Sequence, residues 1–510
     1  MSDARINTMD ASLPLYLLLL PVALLTYLVY HVFYTFYWHP LAAFPGPPLA
    51  ALTRLYRTYI DCSPSRSFVH TLGQLHEKYG DIIRIGPNEL HFHSPAAYLE
   101  IYNANHRWDK EKSLYHSFGE DRSSFGFLTY RESKERKDVL SRRFSKKAVQ
   151  DAQRIVEGIV LDLCNTFEQN SASPVDLFYA FRCMSIDVIT YLCFANSVDA
   201  VHAPNYEAPI ILAMDASLPV FVRFKHSSFY KNMIMNCPPK LSKIISPATA
   251  GLVDLQTLLK AQIEEITTDP GKLAKLPHST TIYHELLRPE AYRTGTAPSS
   301  GSLFEESQAL MFGGADTTGT TLMHGCFYIL SSKEIYAKIK AELLTAWPIL
   351  DGPPLSWEEL EKLPYLTAVI KESLRMSPGV ASPLPRVVPA TGAIITKTPI
   401  PGGTVVAHAS HFVHRNPDVF GNPDEFIPDR WLGEHGRALD RWLLSFSRGP
   451  RSCLGQHLAW LELYLCFGHL FRKFDVEIDP SSPKELEWRD CFLPDYVGPH
   501  LRAKMTPVTS

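Results

Sequence analysis

Ten residues near the C-terminus, Phe446-Ser447-Arg448-Gly449-Pro450-Arg451-Ser452-Cys453-Leu454-Gly455, constrain this chain more than any other stretch. They set a single cysteine just ahead of an apolar helical run, in a loop that carries two glycines and two arginines. Amide N–H groups at a helix start and nearby cations both stabilise a thiolate over a thiol. Gly449 and Gly455 present no side chain, so a flat, bulky partner can approach the backbone. A lone thiolate that accepts amide hydrogen bonds suits an axial ligand of haem iron, where it pushes electron density onto the metal. The commonest fate of a free cysteine is that of a small buried hydrophobe. What argues against it here is the spacing F-x-x-G-x-R-x-C-x-G, which fixes too many positions at once to be a product of composition.

The nine cysteines are scattered and include no CxxC pair. An odd, unpatterned set argues against a disulfide framework and against a zinc site, and favours a reducing compartment. A net charge of −3 gives no electrostatic reason to expect nucleic acid as a partner.

The N-terminus carries the second constraint. From Ala11 to Trp38 no Asp, Glu, Lys or Arg occurs, and His31 is the one titratable base. That run exceeds the roughly 20 apolar residues that span a bilayer. A cleaved signal peptide would have a shorter apolar core, a basic lead-in and a small-residue cleavage site. Here Asp3, Arg5 and Asp10 precede the run, and Phe36, Tyr37 and Trp38 close it like an interfacial aromatic belt. An uncleaved anchor is the expectation, with Arg54, Arg57 and Arg66 placing the large domain on the cytoplasmic side. Phe44-Pro45-Gly46-Pro47-Pro48 follows as a stiff, non-helical hinge.

Beyond the hinge, Asp81–Ile85 and Glu89–His93 flank a Gly86-Pro87-Asn88 turn and read as a hairpin, and Ser94-Pro95 opens a helix. Helical patterns dominate from about residue 131 to 346. Long helices fit Leu303–Ser331, Leu366–Met376 and a final one from about Leu454 to Phe471, and residues 380–406 suggest short strands. The glycine pair in Phe312-Gly313-Gly314-Ala315-Asp316-Thr317-Thr318 is expected to interrupt the first of these helices. Two interior glycines cost a helix roughly 1 kcal/mol each, so either a ligand or a close helix crossing must justify them. No boundary divides residues 51–510.

The cysteine loop closely resembles that of cytochrome P450, and the likeness runs from the anchor and proline hinge to the C-terminal helix. The resemblance implies a mainly α fold with small β-sheets, preceded by one N-terminal transmembrane helix. It divides the chain into an anchor over 1–38, a proline-rich hinge over 39–50 and a haem-thiolate monooxygenase domain over 51–510. Haem b is the implied cofactor, with Cys453 as its metal ligand and Phe446 and Gly455 beside it in the motif. Glu372 and Arg375, one helical turn apart, match the family's structural pair, which locks to a later arginine corresponding to Arg430. Asp316 and Thr317 resemble the family's acid–alcohol pair for proton delivery to dioxygen. Arg451 and Arg386 match positions that reach the haem propionates. The third such contact is implied at Lys137, with Arg136 as a substitute, although serine and lysine stand at 133 and 137 where the family has an aromatic residue and an arginine.

The same resemblance implies a separate NADPH–cytochrome P450 reductase, since no G-x-G-x-x-G fingerprint for a nicotinamide or flavin is visible. The basic stretch from Arg131 to Lys147 is its implied docking face. Family geometry points to an apolar pocket with Phe125, Phe127, Leu310, Met311, Phe312, Val380 and Leu493. Arg84–Phe92 and His414–Trp431 look similar to fungal enzymes, of trichodiene-oxygenase type, that oxidise terpenoids and related secondary metabolites. Together these imply insertion of oxygen from O2 into an apolar small molecule at the endoplasmic reticulum membrane. Two other readings stay open: a haem-thiolate isomerase or dehydratase that needs no reductase, and a non-catalytic haem sensor or electron carrier.

Overall fold

The computed structural model describes residues 12–273, 276, 279–350 and 352–508. The tail expected ahead of the anchor, with Asp3, Arg5 and Asp10, lies outside them. Helix α1 (Ser12–Phe33) runs on through one π-helical turn, Tyr34–Trp38. Leu19–Trp38 is long and apolar enough to cross a membrane. Its side chains are apolar on every face rather than along one stripe, and Leu20, Leu25 and Tyr37 are all exposed. A helix of that kind needs an apolar medium around it. Leu177–Phe194 passes the same length and composition criteria, but it is buried in the body of the protein and supplies core instead.

The segment after α1 is not a free tether. Leu41 and Ala50 are fully buried, and the Arg84 guanidinium donates to Thr35 O at 3.0 Å while Arg84 N–H donates to Pro45 O at 2.7 Å. A Cβ at residue 46 would sit 2.2 Å from Arg84 O, so only glycine allows this approach. The proline-rich segment is therefore strapped to the first strand of the sheet.

That sheet contains β1 (Ile82–Gly86), β2 (Glu89–Phe92), β3 (Asp109–Lys110), β4 (Arg386–Val387) and β5 (Val405–Ala407), in the spatial order β1-β2-β5-β4-β3. The β1–β2 hairpin is antiparallel, and β2 pairs with β5 in parallel, joining residues more than three hundred apart in sequence. Ser94 caps the helix Pro95–Ile101 by accepting from Ala97 N–H.

The helical body includes α2 (Tyr130–Phe144), α3 (Leu177–Phe194), α4 (Pro209–His226), α5 (Ser300–Ser331), α6 (Pro364–Met376) and α7 (Gln456–Lys473). The expected long helices are present, with α5 starting at Ser300 under a Ser299 cap. α7 begins two residues later than expected, because the cysteine and the residues after it stay in the loop. One expectation is corrected: α5 is a continuous α-helix, and Gly313-Gly314 does not interrupt it. The glycines serve contact instead. A Cβ at 314 would meet Ile189 of α3 at 3.0 Å, and one at 319 would meet the Arg182 side chain at 2.6 Å and its backbone N at 2.9 Å. α3 lies close along α5 on that face, and the packing offsets the helix-propensity cost.

Candidate active site

Between α5 and the cysteine loop lies a cavity of about 330 Å³. The Cys453 side chain is exposed, and the space it faces is this interior one. The loop is closed by Cys453 N–H donating to Phe446 O at 2.8 Å. Gly449 has φ +72°, and a Cβ there would press on Tyr102 O at 2.7 Å, so its glycine serves the turn and the packing of the loop rather than a flat partner. Gly455 has nothing within 4 Å of a would-be Cβ and borders the cavity, as approach by a planar group requires. Burial pushes the Cys453 thiol up, while the Gly455 N–H and the Lys137 ammonium pull it down. A metal cation at the sulfur would reverse that net upward shift outright.

One edge of the cavity is cationic. Arg386, Arg451, Lys137 and Lys110 all line it, and among the described residues none of the four forms an ion pair with a carboxylate. Arg386 donates to the Tyr115 hydroxyl at 2.6 Å. Arg451 donates to Phe127 O and Leu128 O at 3.2 and 2.9 Å, leaving its Nε without a partner. Lys137 donates to Pro450 O and Ser452 O at 3.2 and 2.8 Å, tying α2 to the cysteine loop. Lys110 donates to Phe125 O, with its ammonium 4.1 Å from the Tyr115 ring centre. Burial and mutual repulsion hold Lys110 well below the ordinary lysine range and lower Arg451 to about 10. Such a cluster is costly without counter-charge. A planar ligand with two carboxylates at this edge and a metal at the sulfur would fit the residues present, and haem has that chemistry.

Lys110 was missed by sequence reasoning. It stands opposite Arg386 in the β3–β4 register, and a strand of two residues leaves no pattern to read. Arg136 is not in this group. It turns from the cavity to pair with Glu306 at 2.7 Å and to donate to Ser302 Oγ at 2.8 Å. A buried guanidinium goes to the nearest buried carboxylate, and Glu306 on α5 supplies it.

The acid and the alcohol of α5 have different neighbours. Thr317 lines the cavity, its hydroxyl donating to Gly313 O at 2.9 Å. Asp316, about 100° round the helix, does not line the cavity; it is buried and pairs with Arg182 of α3, whose Nε lies 2.6 Å away. The same guanidinium reaches Asp215 of α4 at 2.6 Å. Burial, with Asp215 competing for the same arginine, raises Asp316 to about 6, and its Oδ2 has no partner.

Glu372 on α6 is completely buried and receives Arg375 at 2.8 and 2.9 Å, Arg430 at 3.1 Å, the Trp431 indole N–H at 2.7 Å and Ile427 N–H at 2.8 Å. Arg375 also donates to the carbonyls of His414, Pro423 and Glu425. Every lone pair and proton of the pair is thus occupied, which is what a buried ion pair needs.

Of the expected substrate residues, Phe125, Leu310, Phe312, Val380 and Leu493 line the cavity. Met311 and Phe127 do not. Met311 is on the far face of α5 in the core, and Phe127 lies under the Arg136 guanidinium at 5.7 Å. Three further aromatic residues enter instead. Phe118 stands 4.8 Å from Phe492 and 5.2 Å from Phe221, and Phe221 is 5.4 Å from Phe312. These three lie in segments that the family resemblance assigns to the pocket, 108–130, about 205–235 and 492–496, but only the fold picks out these side chains.

Comparison with known proteins agrees with this geometry. The family model for Cytochrome P450 matches residues 52–494. The cytochrome P450 monooxygenase flvC of Aspergillus flavus is 32% identical, over 95% of each chain. The monooxygenase ankB of Aspergillus thermomutatus is 31% identical over 94% of this chain and 92% of its own. Conidiogenone synthase PchP450 of Penicillium rubens is 31% identical over 88% and 90%. With a thiol at one wall, unpaired cations at one edge and a match across most of its length, this chain belongs to the cytochrome P450 family of monooxygenases.

Proposed function

We propose that this P450 monooxygenase holds haem b through Cys453 and hydroxylates or epoxidises an apolar small molecule of fungal secondary metabolism, foremost a terpenoid. Electrons come from NADPH–cytochrome P450 reductase docked on the basic face of α2. The enzyme is anchored in the endoplasmic reticulum membrane by α1, with its catalytic domain cytoplasmic. The observation that carries this reading is that one cavity gathers the Cys453 sulfur, four cations without carboxylates and the Thr317 hydroxyl.

Haem bound there supplies reductive activation of dioxygen. The chain's residues do the rest. Gly455 N–H steadies the sulfur as an acceptor. Arg386, Arg451, Lys137 and Lys110 neutralise two carboxylates and fix the plane of the cofactor. The Thr317 hydroxyl, once rotated off Gly313 O, donates into the cavity. Asp316, whose carboxyl burial raises to about 6, serves as proton carrier outside the cavity, and a water or a swing of its side chain away from Arg182 links it to Thr317. The aromatic side chains above keep bulk water out and grip an apolar skeleton. The names of the relatives support the monooxygenase reaction, and PchP450 is itself named a synthase of conidiogenone.

The test is spectroscopic and then metabolic. The reduced protein with carbon monoxide should show the red-shifted thiolate band, and Cys453→Ser should abolish it; a variant that keeps the band would remove Cys453 from the iron. With NADPH and reductase, oxygen uptake should rise with an apolar substrate identified by comparing metabolites of a strain lacking the chain with its parent. Turnover of that substrate with neither oxygen uptake nor a need for reductase would point to an isomerase or dehydratase instead.

A further inference from the structure

Above the cavity, residues 116–126 form a loop clamped to the first turns of α5. Arg122 pairs with Glu305, and Ser124 donates to Glu306 through Oγ at 2.6 Å and N–H at 2.8 Å. Gln308 donates to Phe118 O at 2.7 Å and is itself held by Gln256 at 3.0 Å. Gly126 folds so closely over Glu120 O that any Cβ would collide with it. The loop is therefore rigid, and its side chains are placed rather than free.

The three acids of this cluster differ in what they are given. Glu305 has Arg122, and Glu306 has Arg136 and Ser124. Glu120 is 3% exposed and lines the cavity, and among the described residues one hydrogen bond, from Gln308 Nε2 at 3.1 Å, is all its side chain receives. Its neighbours in the wall are Phe118 and Phe125 of the aromatic group. Burial, reinforced by Glu306, Glu305 and Asp121, pushes its carboxyl well above the ordinary range. A carboxylic acid kept neutral in an apolar site offers a donor and an acceptor. Left unmatched against an apolar ligand it costs free energy; matched, it discriminates strongly.

Resting on the monooxygenase reading above, we propose that Glu120 is a specificity-determining residue whose carboxyl, held by Gln308 in the aromatic wall, takes a hydroxyl or carbonyl oxygen already present on the substrate. The molecule oxidised is an apolar skeleton with one hydrogen-bonding oxygen remote from the site of attack. A reaction that installs that oxygen on the hydrocarbon must precede this enzyme.

The experiment uses full-length holoprotein and ligands that fix themselves to the iron. 1-Alkylimidazoles from butyl to dodecyl, with and without a terminal hydroxyl, are titrated by the Soret shift of nitrogen ligation. At the tail lengths that reach Glu120, the wild type should prefer the hydroxyl form over the plain alkyl form by about five- to tenfold more than Glu120→Leu does. Glu120→Gln, whose amide also donates and accepts, should keep most of the preference. Glu120→Met is the second apolar variant if Glu120→Leu does not accumulate, and only proteins with a wild-type carbon monoxide band are compared. Equal hydroxyl preference in wild type and the apolar variants at every length overturns the proposal while leaving the haem-thiolate reading intact. Absence of both the nitrogen-ligand shift and the carbon monoxide band in wild type takes down both.

Discussion

Glycines 313, 314 and 319 occupy one helix but do not face the same surroundings. Gly314 and Gly319 are in contact with α3, while Gly313 meets nothing within 4 Å and borders the cavity. Gly319→Ala should lower the thermal stability by about 1–3 kcal/mol, the usual cost of overpacking. Gly313→Ala should not lower it, since the added methyl enters open space and alanine favours the helix. Thermal denaturation of the two variants side by side checks the pair. Thr317 faces the same space. Thr317→Ala should leave haem content and the carbon monoxide band intact while product per NADPH falls and released hydrogen peroxide rises; a relay of this type contributes about 10²–10⁴-fold. Unchanged coupling of NADPH to product would place proton delivery elsewhere. The residues of this pair were legible in the sequence as neighbours, yet their division between cavity and ion network was not. It depends on Arg182 and Asp215, which sit on two other helices.

Among the elements, α6 and the turn Pro428–Trp431 are joined through Glu372. Replacing it by alanine strands Arg375 and Arg430, and breaking such a buried pair costs about 3–5 kcal/mol. Loss of holoprotein on expression of Glu372→Ala, with no spectral change in what survives, is the expected result. Glu372, Arg375 and Arg430 were readable from their order along the chain, whereas Trp431 and the three backbone acceptors of Arg375 required the fold. Histidines tell a similar story at the sheet. His76, on the helix Phe68–Tyr79, bonds His91 of β2 at 2.7 Å, and His91 lies 5.9 Å from His408 just after β5. Burial holds His76 and His408 to about 4 and His91 well below the ordinary range. Their folded values lie below the unfolded value of 6.5, so the stability they allow is fully present above that pH. It is lost as pH falls toward 4. At pH 5 each of His76 and His408 should cost about 2 kcal/mol. A pH series of unfolding midpoints should slope downward from pH 6.5 to 5, and less steeply in a His76→Gln variant.

At the scale of the whole molecule, the chain's most local features were the most legible: the apolar run that became α1, the hairpin around Gly86-Pro87-Asn88, and the long helices. The order β1-β2-β5-β4-β3 was not, because it pairs residues 89–91 with 405–407 and so has no local trace. The connection between anchor and body belongs to the same class. A proline-rich segment reads as a spacer, but here Leu41 is buried and Arg84 grips Thr35 O. Two truncations should therefore behave differently. Removal of residues through Phe33 deletes most of the apolar helix proposed as the anchor while leaving Thr35 and Leu41 in place, and should yield holoprotein of near-native stability with a larger soluble fraction. Removal through Phe44 also empties the Leu41 site, worth about 2–5 kcal/mol for a buried leucine, and leaves the Arg84 guanidinium short of an acceptor. That protein should unfold at a lower temperature. Neither form need be wholly free of membrane, for Leu49, Leu55, Tyr59 and Phe229 are exposed on either side of the Thr58–His226 hydrogen bond. A high-salt wash removes charge-held protein and spares apolar contact, so the residual membrane fraction of the shorter truncation should resist salt and fall when Leu55 and Phe229 are both changed to serine. Equal stability of the two truncations would show that the segment is a tether after all.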